Sequence, residues 1–344
     1  MSVQKLMPTE IMLAPMEGVV NARFRKIYAH IGGIDRFVTE FIRVTQNLLT
    51  KQNVLAHYPE IEQHGMTDNA TPTYCQLLGD DADYLAENAA KLIEWGAYAI
   101  DLNFGCPAKT VNNHGGGARL LTCPEKIYQI TQSVRKAIPP DKILTAKMRL
   151  GYKDKSQCIE NAQAIAEAGA TEIIVHARTK TEGYRPPAHW HYLKTIQQAI
   201  NIDVVANGEM WTVNDIDRCM TMSQCTKIML GRGLIANPAL ALQAKAIQHQ
   251  TISFNHILFL LLYFLHLLDE DCPKKYQCNL LKQWLVYLKE HFGEAHLFFN
   301  ETKRITDPKK FKTNIIQKIN AKKTSHYVKI EVGKLDLTPL LKTL

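Results

Sequence analysis

Short β-rich runs recur along the first 230 residues, at 11–14, 36–39, 73–78, 98–102, 144–148, 172–175, 202–206 and 227–230. They are compact apolar stretches rather than strict alternations, the pattern of strands covered on both faces. Most are separated by stretches with helical spacing, at 21–31, 83–95, 124–137, 158–168, 190–200, 213–222 and 238–248. Strands alternating with helices predict parallel pairing through right-handed crossovers. Eight such units within about 250 residues predict a closed (β/α)8 TIM barrel, with an open doubly wound sheet as the alternative. The interval 40–72 is too long for a simple loop, and the pattern predicts a helix near 44–54. After residue 250 the alternation stops and only helical patterns follow. The greasiest run, 257–265, is about half the length needed to cross a bilayer, so a buried helix is expected. In 278–291 the residues Leu280, Leu281, Trp284, Leu285 and Leu288 form one apolar stripe, with Lys282 and Lys289 opposite.

Each run ends in something polar or chemically distinctive: Pro15-Met16-Glu17-Gly18, Glu40, Gln76, Asn103 with Cys106, Lys147 with Arg149, His176 with Arg178, Asn207-Gly208-Glu209, and Gly231-Arg232-Gly233. In a closed barrel these ends share one face, where barrel enzymes carry their active sites. The densest stretch is YAIDLNFGCPAKTVNNHGGGARLL, residues 98–121, in which a buried strand with one acid delivers Cys106 to a loop. Gly115, Gly116 and Gly117 let that loop fold tightly or approach a ligand. A buried structural thiol is the plainer reading of such a cysteine. The glycine turns after the seventh and eighth strands suit a phosphate monoester, with Arg232 adding charge. Residues 231–236 also match a G-x-G-x-x-A dinucleotide pattern, but no βαβ unit follows and 249–256 offers no acid, so that match is set aside.

The chain of 344 residues is 46% hydrophobic and 22% charged, which excludes a disordered or fibrous protein. The net charge of +8 favours an anionic partner, and residues 303–334 alone hold ten Lys or Arg against Asp307 and Glu331. Eight cysteines include no C-x-x-C pair, so neither a metal site nor a disulfide framework is expected. No export signal is legible at the N-terminus, and a cytoplasmic protein without membrane contact is expected.

These residues resemble the tRNA-dihydrouridine synthases, flavoenzymes with an FMN-binding barrel and a C-terminal helical domain. The likeness spans roughly residues 10–320. It is carried by APMEGV (14–19), TEFIRV (39–44), QLLG (76–79), DLNFGCPAKTVN with GGGARLL (101–121), AKMRLG (146–151), VHARTK (175–180), ANGE (206–209) and GRG (231–233). The wording KTVN and GGGA is most similar to the bacterial subfamily acting at tRNA position 16. The resemblance implies an FMN-binding barrel over 1–250, a helical tRNA-binding domain over 251–320, and a basic extension over 321–344 to which no family role is carried.

It implies non-covalent FMN contacts from Pro15, Met16, Glu17, Gln76, Lys147, His176, Asn207, Gly208, Glu209, Gly231 and Arg232. Cys106 is the implied catalytic acid, and NADPH is the reductant by family alone. Asn103 and Arg149 are expected to hold the base. Arg43, Arg178, Lys180, Lys282 and Lys289, with Arg185, are expected at a rim that grips tRNA phosphates. The implied protein is a monomer. Two other classes stay open: an FMN barrel acting on a free pyrimidine, such as a dihydroorotate-type dehydrogenase, and an RNA-binding protein without catalysis.

Overall fold

The computed structural model describes residues 7–246 and 252–321. Nine strands form one parallel sheet: β1 (Glu10–Leu13), β2 (Arg36–Val38), β3 (Ile42–Arg43), β4 (Thr73–Leu78), β5 (Ala99–Phe104), β6 (Ile143–Gly151), β7 (Glu172–Thr179), β8 (Asp203–Asn207) and β9 (Lys227–Leu230). Their order is β2-β1-β9-β8-β7-β6-β5-β4-β3, and an added β2–β4 pairing closes the ring. The result is a closed eight-strand barrel wrapped by helices, not an open sheet. The two-residue β3 has no counterpart in the sequence reading. It extends the β2 position along β4, pairing Ile42 with Leu77 and Arg43 with Leu78.

The period-2 geometry of a strand sorts each run into two sets. One set, including Ile11, Leu13, Phe37, Cys75, Leu77, Ile100 and Leu102, packs outward against the helices. The other fills the barrel: Met12, Val38, Tyr74, Ala99, Ile174, Val205 and Met229 form a separate apolar layer. Below that layer Arg36 on β2 reaches Glu172 on β7 at 2.5 Å, and Lys227 on β9 meets Glu172 at 3.0 Å. Because β2 and β7 are not neighbours, this ion pair spans the interior and plugs the floor. Continuing upward by twos from Tyr74, Ala99, Ile174 and Val205 gives Gln76, Asp101 and Asn103, His176, and Asn207.

Two segments differ from expectation. Within 44–54 only Lys51–Leu55 is helical, followed by a 3-10 turn at Pro59–Gln63. The first half stays irregular because Asn88 accepts the Leu49 N–H at 2.7 Å and donates to the Asn47 carbonyl at 3.1 Å. Thr50 then caps the helix through the Asn53 N–H. The helix expected at 238–248 is a short one, Leu240–Ala244, preceded by Arg232–Ala236. Asn237 separates them by accepting the Ala239 N–H, and residues 247–251, with the expected boundary at 250, lie outside the described residues.

Four helices follow: Phe254–Asp271, Lys274–Leu288, Gly293–Thr302 and Pro308–Ala321. The expected extension over 321–344 lies outside the described residues beyond Ala321. Among the described residues no helix is long and apolar enough to cross a membrane. The helical segment docks where the barrel closes. Phe24 of the first helix, Ala22–Ile31, meets Phe264 and Trp284 edge-on at 4.9 and 4.8 Å, and Trp284 Nε1 donates to the Ile235 carbonyl at 3.2 Å. Arg23 pairs with Asp271 at the rim of this contact. Phe24→Ala should therefore cost about 3–5 kcal/mol, seen as a lowered urea midpoint. An unchanged midpoint would mean that this aromatic cluster does not hold the helices to the barrel.

Candidate active site

The upper interior opens into a cavity of about 490 Å³ at the C-terminal ends of the strands. Every residue expected to contact the cofactor lines it: Pro15, Met16, Glu17, Gln76, Lys147, His176, Asn207, Gly208, Glu209, Gly231 and Arg232. Cys106, Asn103 and Arg149 line it as well. The eight runs lie far apart along the chain, and the barrel brings their ends together.

Side chains from three adjacent strands form a continuous hydrogen-bonded chain along one wall. Asp101 is fully buried; its Oδ1 accepts from Thr145 Oγ1 and its Oδ2 from Gln76 Nε2, both at 2.6 Å. Gln76 Oε1 accepts from Asn103 Nδ2 at 2.7 Å. Asn103 Oδ1 then accepts the N–H groups of Gly105 at 3.0 Å and Cys106 at 2.9 Å. The Cys106 carbonyl is held by Ala118 N–H at 3.0 Å and Asn112 Nδ2 at 2.9 Å. Gly117 makes that closure possible: its φ is +59°, and a Cβ there would lie 2.9 Å from the Cys106 carbonyl oxygen.

Further along β6 and onto β7 the wall becomes cationic. Lys147 donates to Asn207 Oδ1 at 3.2 Å, and burial, then the neighbouring Arg149, pull its ammonium down to about 8. Arg149 is 3% exposed and ties two loops together, donating to the Gly105 carbonyl at 2.9 Å and to the Thr179 and Gly183 carbonyls at 3.2 and 2.9 Å. Burial and the surrounding Arg149, Lys147, Arg178 and Arg232 hold His176 well below the usual imidazole range, so it is neutral. The Cys106 thiol moves the other way. Burial raises it, against a smaller lowering by the Ala108 N–H, so it stays protonated.

At the far end, the backbone N–H groups of Gly208, Glu209, Gly231 and Arg232 make no hydrogen bond among the described residues. A cluster of free donors beside Arg232 is the donor set a phosphate monoester needs. The backbone there tolerates no side chains at two points: a Cβ on Gly208 would lie 2.9 Å from His176 Cδ2, and one on Gly233 only 2.1 Å from the Met210 carbonyl oxygen. Arg232 is framed by the Tyr184 and Trp211 rings at 5.0 and 5.1 Å and by Glu209 at 3.6 Å. The residues present thus fit FMN: a cluster of phosphate donors, a buried lysine, and amides on the far wall.

The expected rim is placed less uniformly. Arg178 departs from it: its side chain is fully buried, bonded to Glu209 and to the Pro187 carbonyl. The β6–β7 pairing explains this, since Arg149 opposes His176 but Gly151 opposes Thr179, so β7 carries one extra residue beside Arg178. Such a bulge re-aims a side chain. Lys180 is half-buried with its ammonium 4.8 Å from the Tyr152 ring, and Arg185 is exposed. Arg43 is exposed beside a second cavity, which it lines with His114 and Lys126. Lys282 on helix Lys274–Leu288 and Lys289 at its C-terminal cap are half-buried, the Lys289 ammonium lying 4.2 Å from the Phe299 ring.

Three residues at the site have no sequence signal that places them there. Asp101, buried and outside the cavity lining, reads only as the lone acid of its strand. Tyr184, whose ring lies 5.2 Å from the Arg149 guanidinium, sits in a loop with no periodicity. Tyr287 comes from the helical segment and lines the cavity from outside the barrel; nothing in the sequence pairs it with the strand ends.

A family model described as dihydrouridine synthase matches residues 12–326. Among curated proteins, a tRNA-dihydrouridine(16) synthase of Pseudomonas syringae pv. tomato is 46% identical over 302 residues, covering 87% of this chain and 95% of that protein. Proteins of the same name from Pseudomonas putida and Neisseria meningitidis serogroup B are 45% and 43% identical, covering 87% of this chain and 94% and 91% of their own lengths.

The raised Cys106 thiol has a direct chemical consequence. Because only the thiolate reacts, alkylation of Cys106 by iodoacetamide should be slow at neutral pH and accelerate only beyond pH about 9, tracked by peptide mass spectrometry. Rapid labelling at neutral pH would mean that the site lowers the thiol instead.

Proposed function

The chain belongs to the dihydrouridine synthase family, and from that premise we propose that it reduces the uridine at position 16 of tRNA, with Cys106 as the proton donor. It is an FMN-dependent oxidoreductase that converts uridine in tRNA to 5,6-dihydrouridine. That membership, over residues 12–326, decides against both a free-pyrimidine dehydrogenase and an RNA-binding protein without catalysis. Position 16 is supported by the names of the relatives, all tRNA-dihydrouridine(16) synthases. NADPH is proposed as the electron donor, the cytoplasm as the compartment, and a monomer as the working form.

The observation that carries the catalytic proposal is the position of a protonated thiol on the rim of a cationic, phosphate-ready cavity. Reduced FMN, when bound, supplies hydride to C6 of the uracil. The chain must then deliver a proton to C5, and Cys106 holds one on Sγ because burial disfavours its thiolate. Lys147, ionised below pH about 8, supplies positive charge inside the barrel for the anionic flavin ring. Gln76 has one N–H left after bonding Asp101, a donor for the pyrimidine edge of the ring. The turns at Gly208–Glu209 and Gly231–Arg232 hold the phosphate, and Pro15, Met16 and Glu17 close the near side. Asn103 has one free N–H toward the base.

A base stacked in folded RNA must swing out to reach this depth. We assign the surrounding phosphates to Arg43, Lys180, Arg185 and the helical segment with Lys282 and Lys289, and we withdraw Arg178, whose guanidinium is spent on Glu209. Tyr287, on the helix that carries Lys282 and is capped by Lys289, supports a helical segment that takes part in the site.

The parent enzyme should hold FMN and form dihydrouridine at position 16, mapped by alkaline cleavage of the tRNA product. Cys106→Ala should keep its flavin and NADPH reduction yet lose dihydrouridine formation by about a hundredfold or more; undiminished turnover would return Cys106 to a structural role. Affinity for tRNA should also fall steeply with salt, and Lys282→Ala with Lys289→Ala should lower the slope of log K against log salt by about 1–2. A parent-like slope in that double variant would move the RNA off this helix.

A further inference from the structure

We propose that Asp101 is a positioning residue for uridine reduction: as an acceptor-only carboxylate it decides which way round the amides of Gln76 and Asn103 stand, and through them it seats the Cys106 loop. This deepens the reading above and rests on it. Asp101 does not line the cavity; it bonds Gln76, which does, and acts on the reaction only through its neighbours. Gln76, Asp101 and Thr145 are register partners on β4, β5 and β6.

The argument is one of hydrogen-bond polarity. An amide side chain can stand either way round, and two amides in series give four arrangements. A carboxylate can only accept, and the Gly105 and Cys106 N–H groups can only donate. With these two ends, one arrangement satisfies every contact: Gln76 Nε2 on Asp101 at 2.6 Å, Asn103 Nδ2 on Gln76 Oε1 at 2.7 Å, and Asn103 Oδ1 on the loop N–H groups. Reversing Gln76 sets its oxygen against a carboxylate oxygen. Reversing Asn103 sets its NH2 against two backbone donors. Asp101 and Gln76 are fully buried and Asn103 is 8% exposed, so water does not relieve either clash.

What faces the cavity follows from this order. Gln76 and Asn103 each retain one uncommitted N–H, and that donor pattern is what a flavin pyrimidine edge and a uracil carbonyl meet. Take away the acceptor at position 101, and Gln76 is held in order only from the Asn103 side, with a buried N–H unpaired; any reversal of Gln76 then leaves Asn103 Nδ2 facing a donor. The cost then falls on the geometry of the loop that carries the proton donor.

The test uses FMN-loaded, pre-reduced enzyme in single-turnover reduction of tRNA, with the flavin absorption spectrum and tRNA affinity read alongside. The parent is measured first; failure of the parent to hold FMN or to reduce tRNA would sink the functional reading, not this one. Asp101→Asn retains an oxygen for Gln76 and should stay within about threefold of the parent, with the same spectrum. Asp101→Thr is similar in volume and suited to a strand but cannot reach Gln76; it should lose about tenfold or more in rate and shift the visible flavin band, with tRNA affinity unchanged. If Asp101→Thr does not fold, Asp101→Cys is read by the same criteria. A parent-like rate and spectrum in Asp101→Thr would overturn the proposal. So would an Asp101→Asn variant that falls as far as Asp101→Thr, because charge and not acceptor polarity would then be what matters.

Discussion

A closed parallel barrel buries the polar side chains it turns inward, so they find their partners chiefly among the other strands. This constraint organises the molecule from floor to mouth. At the floor the answer is an ion network of Arg36, Glu172, Glu10 and Lys227. In the middle it is an apolar layer. At the mouth it is the Thr145–Asp101–Gln76–Asn103 chain, which ends on the backbone of the Cys106 loop. The donors left over at that upper edge are the ones available to a ligand, so the same constraint both stabilises the barrel and specifies the site.

The electrostatics of the mouth follow from the same economy of partners. Lys147, Arg149, Arg178 and Arg232 surround His176, and the nearby carboxylates are Asp101 and Glu209. Burial first, and then the excess positive charge, depresses Lys147 and keeps His176 neutral, conditions that favour an anionic ligand. Glu209 stands at φ +57° and answers both Arg178 and Arg232. Arg178 is therefore part of the frame of the Gly208–Glu209 turn, while Arg149 clamps the Cys106 loop to the Tyr184 loop. Two arginines of one face thus do structural work, while Arg43 and Arg185 stay exposed.

The helical segment is joined to this frame at the barrel seam. Because β9 pairs with β1, the first helix and the short helix after β9 are brought side by side, and Phe24, Phe264 and Trp284 fill the angle between them. Helix Lys274–Leu288, fixed there by Trp284, carries Tyr287 to the cavity. A contact made for packing thus decides where a second segment meets the active site.

Local pattern was enough for a great deal. Alternation of apolar strands with helices implies a barrel because hydrophobic periodicity is a property of neighbouring residues, and a distinctive residue at the end of each run implies a shared site because barrel closure leaves those ends nowhere else to go. Motifs around Cys106 and the glycine turns were legible for the same reason: each lies within a single stretch of chain. Direction and partnership were not. Whether Arg178 points to solvent or into the wall depends on one extra residue in β7 against β6. Asp101 reads as a lone acid until Gln76 and Thr145, 25 and 44 residues away, are seen bonded to it, and Tyr287 joins the cavity only through packing at the seam. These facts involve pairs of residues far apart in sequence, and hydrogen-bond polarity and packing between such pairs exist only once the chain has closed on itself.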